Sequence, residues 1–230
     1  MPLRVAFDLD GTLANMHYAL GVEADRLFGP APAPTPTRDQ PQEAADEPRG
    51  GALRAERQLS RAERTRLWDH VKGIENFWDS LPEMEPGIVA RIASAASARR
   101  WDVVFLTTRP LVAGDTVQVQ SQRWLQAQGF TLPSVFVVQR SRGKIAEALD
   151  LDAVVDDRPE NCVDVAIDSK ATAILVWRSA AKVPQLVERM SIRVAPSISD
   201  ALQLLVKIDD QRQPRVTRTL RKLFGKETTA

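Results

Sequence analysis

Short apolar runs alternate with amphipathic stretches along the chain from residue 86 onward. The runs WDVVFLTT, SVFVV, LDAVVDD and ATAILVW are rich in β-branched residues and predict buried strands. The stretches between and after them carry apolar residues at helical spacing, and the predicted helices are PGIVARIASAASARR, DTVQVQSQRWLQAQG, GKIAEALD, ENCVDVAID and SISDALQLLVKI. Strands that alternate with helices in this way predict an α/β fold, with helices on both faces of a parallel sheet.

The chain before residue 86 follows a different pattern. LRVAFDLD predicts a first strand that ends in a turn, and residues 15–85 form an insertion before the regular alternation. Within the insertion, Ser60 and Glu63 fit a capping box that begins a helix. The segment 30–52 contains a run with six prolines between Pro30 and Pro48 and no aliphatic residue larger than alanine. Such a segment cannot bury enough apolar surface to offset its ordering entropy, so we expect a mobile loop.

Composition and charge narrow the class of protein. The 230 residues are 43% hydrophobic and 27% charged, which is ordinary for a globular protein with one α/β domain and an insertion, or with two small domains. A net charge of +1 indicates no strong overall attraction to nucleic acid or membranes. The single cysteine, Cys162, excludes an internal disulfide and is typical of a reducing compartment. With no signal peptide and no apolar stretch near ~18 residues, we expect a cytoplasmic protein.

Polar residues follow three of the predicted strands at their carboxyl ends, where parallel sheets bind ligands. Asp8 and Asp10 end the first strand, and Thr107 ends the second. Asp156 and Asp157 stand side by side after a third, with Arg158 as the neighbouring cation. Adjacent carboxylates repel one another, so a divalent metal best explains why two of them end one strand. In isolation, Asp8 and Asp10 also fit an ordinary Asx-type turn that closes a strand.

The order of these features resembles the haloacid dehalogenase-like (HAD) superfamily of phosphatases. The four motifs that carry the resemblance are Asp8-Leu9-Asp10-Gly11-Thr12, Thr107, Lys144 and Asp156-Asp157. The resemblance covers residues 3–14 and roughly 82–178, about half of the chain. It implies a Rossmann-like core over residues 1–14 and 86–207, a cap in the insertion 15–85, a bound Mg²⁺ and a covalent aspartyl-phosphate intermediate.

The resemblance also implies a role for each motif residue. Asp8 is implied as the nucleophile and Asp10 as the general acid and base, while Asp8, the backbone carbonyl of Asp10, and Asp156 or Asp157 hold the metal. The residues implied for phosphate binding are Thr107, Thr108 and Lys144. An aspartate at position 10 favours phosphoryl transfer over dehalogenation, because breaking a carbon–halogen bond needs no proton donor there. Arg109 lies beside the phosphate site, and Arg158 either contacts substrate or pairs with Asp157.

The stretch IENFWDSLPEMEPG in the insertion bears on the substrate. Together with DDRP after the last motif strand, it resembles the 5'(3')-deoxyribonucleotidase-like branch, whose cap aromatics enclose a nucleobase. The resemblance makes Phe77 and Trp78 candidates for stacking on a base, and the alternative is that they anchor the cap to the core. The leaving group stays open, because sugar-phosphate phosphatases, phosphomutases and nucleic-acid-end phosphatases share the core motifs.

The C-terminal segment 208–230 is predicted as a basic tail. From Arg212 to Ala230 it has six Lys and Arg residues against one Glu, with apolar residues at helical spacing. A basic amphipathic helix of this kind docks weakly on anionic surfaces or protein partners; the alternatives are a solvated terminus and a helix packed on the core. A rival interpretation is a non-catalytic binding module that uses the tail, but the intact pair Asp8 and Asp10 favours an enzyme. Nothing in the sequence indicates an oligomeric state.

Overall fold

A computed structural model of the chain describes residues 2–30 and 59–212. The predicted mobile loop from residue 31 onward, and the predicted basic tail beyond Arg212, lie outside the described residues. Among the described residues, no helix combines the length and apolar character needed to cross a membrane.

Six strands form a single parallel sheet with the order β3-β2-β1-β4-β5-β6. The strands are β1 (Arg4–Asp8), β2 (Asp102–Thr107), β3 (Ser134–Val137), β4 (Ala153–Asp156), β5 (Thr172–Val176) and β6 (Arg193–Ala195). The helices are α1 (Met16–Phe28), α2 (Arg61–Gly73), α3 (Ile88–Arg99), α4 (Val117–Ala127), α5 (Arg142–Ala148), α6 (Pro159–Asp168), α7 (Gln185–Arg189) and α8 (Ile198–Arg212), with a short 3₁₀ helix at Phe77–Ser80. The architecture confirms the predicted α/β class with a Rossmann-like sheet.

The chain divides into two compact units, and each of them contains part of β1. Of the described residues, the first unit consists of those up to Ala6, the segment Arg99–Asp102, and residues 140–212. In this unit the Asp152 N–H donates to the Arg4 carbonyl at 2.8 Å, which sets the start of β1 beside β4. The strands β4 and β5 pair in parallel, as do β5 and β6. The residues of β4 are fully buried, as expected for the middle of a covered parallel sheet.

The second unit consists of Phe7–Ala98 and Val103–Gln139 and contains the parallel pair β2–β3. Just past the end of β1, the Leu9 N–H donates to the Leu106 carbonyl at 3.2 Å. The predicted capping box at the start of α2 is confirmed: the Glu63 N–H donates to Ser60 Oγ at 3.2 Å, and the Ser60 N–H donates to Glu63 Oε2 at 2.8 Å. The apolar face of α2 buries Leu67 and Val71, as its spacing predicts.

The structure contains elements that the sequence pattern did not reveal. These are α1, the 3₁₀ helix, and the pair α7 and β6 that precedes the last helix. The strand β6 has only three residues and lies at an edge of the sheet, so it carries too few positions to show an alternation. The helix α8 runs to Arg212, so residues 208–212 of the predicted tail are helical.

Candidate active site

Three buried polar residues end three neighbouring strands of the sheet. Asp8 is the last residue of β1, Thr107 of β2 and Asp156 of β4, and all three are buried. Strand β4 is apolar up to this position, and β1 and β2 are apolar between a charged first residue and this position, so a buried polar side chain marks the carboxyl end of each strand. A buried polar group is costly unless it finds a partner, so these positions identify the part of the sheet where chemistry is expected.

Carboxylates from two of these strand ends form a cluster suited to a cation. Asp8, Asp156 and Asp157 each offer one carboxylate oxygen, and these oxygens lie within 4.8 Å of one another. Two of the three residues are buried, where like charges at this distance repel strongly. Oxygen donors from carboxylates are the ligands that hard divalent cations take in proteins. The donor set and spacing therefore fit a divalent-metal site, as the sequence predicted.

Asp156 is held in place by neighbours in the first unit. The Arg158 N–H donates to its Oδ1 at 2.9 Å, and the Asn161 amide lies 3.1 and 2.9 Å from its two oxygens. The guanidinium of Arg142 also approaches, with Nε 3.6 Å from Oδ2. Burial first, and then the charge of Asp157, nevertheless raise the pKa of Asp156 from 3.8 to about 6 against the lowering effect of these donors. The donors fix the direction of the carboxylate but do not fully compensate its negative charge. A bound dication would compensate the rest.

The cation that the structure places beside Asp156 is Arg142. Lys144, which the motifs predict for phosphate binding, is exposed on α5. The side chain of Arg142, at the first position of the same helix, is only 4% exposed. Gly143 makes this placement possible, because a Cβ there would lie 2.1 Å from the Asp164 carbonyl oxygen of α6. The two helices therefore touch at Gly143, and this contact sets the first turn of α5 beside the end of β4.

Asp10 has a separate set of partners in the second unit. Arg109 Nε lies 2.9 Å from both of its carboxylate oxygens, and Arg109 Nη2 lies 2.8 Å from Oδ1. The Thr107 hydroxyl donates to Oδ2 at 3.1 Å and accepts the Arg109 N–H at 3.3 Å. Two motif residues, Asp10 and Thr107, therefore meet Arg109 in one hydrogen-bonded group. Thr108, predicted beside them for phosphate binding, is exposed.

Phe77 and Trp78 lie on the 3₁₀ helix and are buried. Their ring centroids are 5.0 Å apart in an edge-to-face arrangement, and Trp78 Nε1 donates to the Pro110 carbonyl at 3.1 Å. The Arg109 guanidinium lies over the Trp78 ring, with Cζ 4.9 Å from its centroid. These contacts match the anchoring alternative for the two aromatics, since a ring that is 0% exposed, as Trp78 is, presents no face to a base.

The remaining residues singled out in the sequence have ordinary surroundings. The exposed side chain of Arg158 lies with Nε 3.9 Å from Glu160 Oε2. Cys162 is buried, with Sγ 3.9 Å from the Asp156 carbonyl oxygen. Sequence reasoning missed Arg142 and Asn161 as neighbours of Asp156, and Ser121 as a neighbour of Arg109.

Comparison with known proteins supports the fold, but the proteins that match are only distantly similar in sequence. No protein-family model matches the chain, and no curated protein sequence matches it. Solved structures do match. A hydrolase from Pseudomonas syringae is 16% identical with a TM-score of 0.51, and the match covers 90% of this chain and 99% of that one. A haloacid dehalogenase-like family hydrolase from Streptococcus pneumoniae is 11% identical with a TM-score of 0.51, over 89% and 98% of the two chains.

A third match is a haloacid dehalogenase-like family hydrolase from Xanthomonas campestris. It is 16% identical with a TM-score of 0.50, and the match covers 92% of this chain and 99% of that one. The chain therefore has the HAD-like fold, and its strand-end carboxylates occupy the edge of the sheet at which α/β proteins bind their ligands.

Proposed function

We propose that the protein is a Mg²⁺-dependent phosphatase that hydrolyses a small phosphomonoester through an aspartyl-phosphate intermediate. The observation that carries the proposal is the different surroundings of two aspartates on one short segment. Asp8 belongs to the carboxylate cluster with Asp156 and Asp157, whereas Asp10 faces a guanidinium and a hydroxyl. Two carboxylates kept in different environments are suited to different roles in one reaction.

The carboxylate cluster suits Mg²⁺ in particular. Asp8 and either Asp156 or Asp157 would hold the ion, with the backbone carbonyl of Asp10 as the further ligand expected from the motif. Mg²⁺ takes one or two carboxylates together with phosphate and water, which leaves part of its coordination shell for the substrate. When bound, the ion supplies positive charge that offsets the repulsion between a carboxylate and an anionic phosphate.

The residues of the chain then divide the reaction into two steps. In the first, an Asp8 carboxylate oxygen attacks phosphorus and the ester P–O bond breaks. Its electron pair goes to the leaving oxygen, which takes a proton from Asp10. In the second, water attacks the phosphorus of the aspartyl phosphate and gives a proton to Asp10. The bond between Asp8 and phosphorus breaks, which releases phosphate and restores both aspartates.

Positive charge and hydroxyl donors are needed for the phosphate oxygens. The motif residues Thr107, Thr108 and Lys144 are the candidates from the sequence, and the buried position of Arg142 beside Asp156 supports adding it to them. Replacing Arg142 and Lys144 separately distinguishes the two cations. If Arg142 is the cation of the site, Arg142→Met should lower kcat at least tenfold more than Lys144→Met.

Several classes of phosphomonoester fit this chemistry as substrates. The resemblance of the insertion to the deoxyribonucleotidase-like branch supports a nucleotide, and the burial of Phe77 and Trp78 supports an anchoring role for those two rings. Sugar phosphates and nucleic-acid ends are the alternatives, and transfer of the phosphoryl group to a second hydroxyl would make the protein a mutase. A cytoplasmic location stays a prediction.

The test is phosphate release from a panel of nucleoside monophosphates, sugar phosphates and 4-nitrophenyl phosphate, with and without Mg²⁺. We expect Mg²⁺-dependent release that Asp8→Asn abolishes. Asp69→Asn is the matched control, because Asp69 is an exposed aspartate on α2, paired at 3.8 Å with Lys72. Calorimetric titration with Mg²⁺ provides a second readout, in which Asp156→Asn should weaken binding. Release that survives in Asp8→Asn would remove the covalent mechanism, and absence of release from every compound would contradict the proposed activity.

A further inference from the structure

Arg109 is a buried charge whose counterion is Asp10. Its side chain is 0% exposed, whereas the Asp10 side chain is 15% exposed and so retains contact with solvent. Taking a guanidinium out of water costs several kcal/mol unless a partner compensates it. The carboxylate of Asp10 does so from one side, with Arg109 Nε 2.9 Å from each oxygen and Nη2 2.8 Å from Oδ1.

The contacts fix the direction of the Asp10 carboxylate. Arg109 approaches both oxygens, and the Thr107 hydroxyl donates to Oδ2 at 3.1 Å. Rotating the carboxylate about its Cβ–Cγ bond would break contacts to both partners at once. The planar guanidinium fork favours a single orientation of a carboxylate, which a lysine ammonium cannot impose.

Arg109 itself is held by neighbours that have no contact with Asp10 in the described hydrogen bonds and ion pairs. Its Nη1 donates to Ser121 Oγ on α4 at 2.9 Å, and its Cζ lies 4.9 Å from the centroid of the Trp78 ring. Trp78 is fixed in turn, since its N–H donates to Gln120 Oε1 at 3.1 Å and its Nε1 donates to the Pro110 carbonyl at 3.1 Å. The guanidinium is therefore held by side chains of α4 and of the 3₁₀ helix.

We infer that Arg109 is a positioning residue that orients Asp10 for proton transfer to the leaving group: the protonated form of Asp10 keeps one oxygen on the guanidinium and donates from the other, and the carboxylate returns to the full pair once the proton has left. The inference rests on the proposed phosphatase function and adds to it a residue whose role the motifs leave open. Arg109 acts through Asp10, because its own side chain is wholly buried and pairs with that carboxylate. A proton donor must lie within hydrogen-bond reach of the leaving oxygen, so a carboxylate free to rotate loses rate even when its charge and position in the sequence are unchanged.

The leaving group provides a readout that separates positioning from support of the fold. An alkyl phosphate releases a strongly basic alkoxide that needs a proton, whereas 4-nitrophenyl phosphate releases a weak base that leaves without one. The leaving group departs in the first step, so the ratio of kcat/KM for the two substrates reports on that step alone. A loss of folded protein or of metal lowers both values equally and leaves the ratio unchanged.

The experiment measures this ratio for the full-length Arg109→Met and Arg109→Lys variants with Mg²⁺ present. We expect the ratio of alkyl to 4-nitrophenyl phosphate to fall roughly 10²-fold in Arg109→Met, the lower end of what general acid catalysis contributes. Arg109→Lys should restore only part of the ratio. In the double variant with Asp10→Asn, the ratio should fall no further than in Asp10→Asn alone, since both changes remove the same function.

Arg123→Met is the matched control. Arg123 is an arginine of α4 with two ion pairs, to Asp79 at 2.9 Å and Asp115 at 2.6 Å. Its replacement should leave the ratio unchanged. If Arg109→Met does not fold, Ser121→Ala removes the Nη1 partner alone and should lower the ratio a few-fold. Equal losses on both substrates in the Arg109 variants would overturn the inference. If the Arg109 variants do not fold, an unchanged ratio in Ser121→Ala would overturn it. Wild-type protein that releases phosphate from neither substrate would instead overturn the proposed function.

Discussion

One methyl group at Gly143 should test how the fold places the cation beside Asp156. A Cβ built on Gly143 would lie 2.1 Å from the Asp164 carbonyl oxygen, and 2.7 Å from both the Asp164 carbonyl carbon and Asp168 Cβ. The nearest two atoms are backbone atoms of α6, so no side-chain rotation can relieve the overlap. In Gly143→Ala, α5 must therefore move away from α6 by about 1 Å to reach ordinary van der Waals contact.

The expected cost follows from two opposing effects. Overpacking a close contact costs typically 1–3 kcal/mol, while alanine gains about 1 kcal/mol over glycine in a helix. With backbone atoms in the overlap, we expect the upper part of this range and a net loss of about 2 kcal/mol. For a chain of this size, that lowers Tm by roughly 4–8 °C. Arg142 precedes Gly143 in α5, and a displacement near 1 Å can reduce turnover by about 10²-fold.

Thermal unfolding followed by circular dichroism, together with Mg²⁺-supported phosphate release, measures both effects. Gly73→Ala is the matched control, because a Cβ at this last residue of α2 would meet no atom within 4 Å. We expect that control to be unchanged or slightly more stable. If Gly143→Ala melts like the wild type and retains full turnover, the close approach of α5 to α6 does not position Arg142.

Three further predictions concern pH, the metal and a helix cap. Because burial raises the pKa of Asp156 to about 6 from its ordinary 3.8, this group stabilises the metal-free fold below pH ~4, and about 3 kcal/mol of that contribution is lost as pH rises through 6. In EDTA, urea unfolding should show that the free energy of unfolding of the wild type falls as pH rises from 4 through 6, and that it falls less in Asp156→Asn. The same pH dependence in both proteins would contradict this prediction. Asn161→Ala removes the amide that holds Asp156 and should weaken Mg²⁺ binding by roughly 10-fold or more in calorimetry, whereas unchanged affinity would show that the amide does not orient the ligand. Ser60→Ala removes the capping box of α2 and should cost about 1 kcal/mol in urea unfolding, and a cost near zero would mean that α2 does not depend on its cap.

The sheet and the strand-end acids could be predicted because their signals are local. A run such as LDAVVDD shows in a few letters both that a strand is buried and where it ends. The sequence could not show which of Arg142 and Lys144 lies beside Asp156, because residues two apart on a helix point in widely different directions. Which of them faces Asp156 depends on how α5 is rotated against α6, and the contact at Gly143 decides that rotation.

The pairing of Arg109 with Asp10 lay beyond the sequence for another reason. The two residues are 99 positions apart, and they meet because Leu9 and Leu106 are hydrogen-bonded where β1 and β2 end. Local patterns carry no information on which strands are neighbours. The motif pattern could therefore place both residues near phosphate, but it could not show that one holds the other.

The division of β1 between the two units has a consequence for synthesis of the chain on the ribosome. Residues at the start of β1 pair with the segment just before β4, as in the hydrogen bond from the Arg4 N–H to Asp152 Oδ2, across 148 positions. At about 5–20 residues per second, the earliest strand therefore waits roughly 7–30 s for that partner to be translated. All residues of the second unit have been translated by then, whereas Asp156 and Asp157 follow Asp152 in the chain and are still to be added. A nascent chain cannot assemble the acidic cluster before that point, so activity begins late in translation and not with the first folded segment.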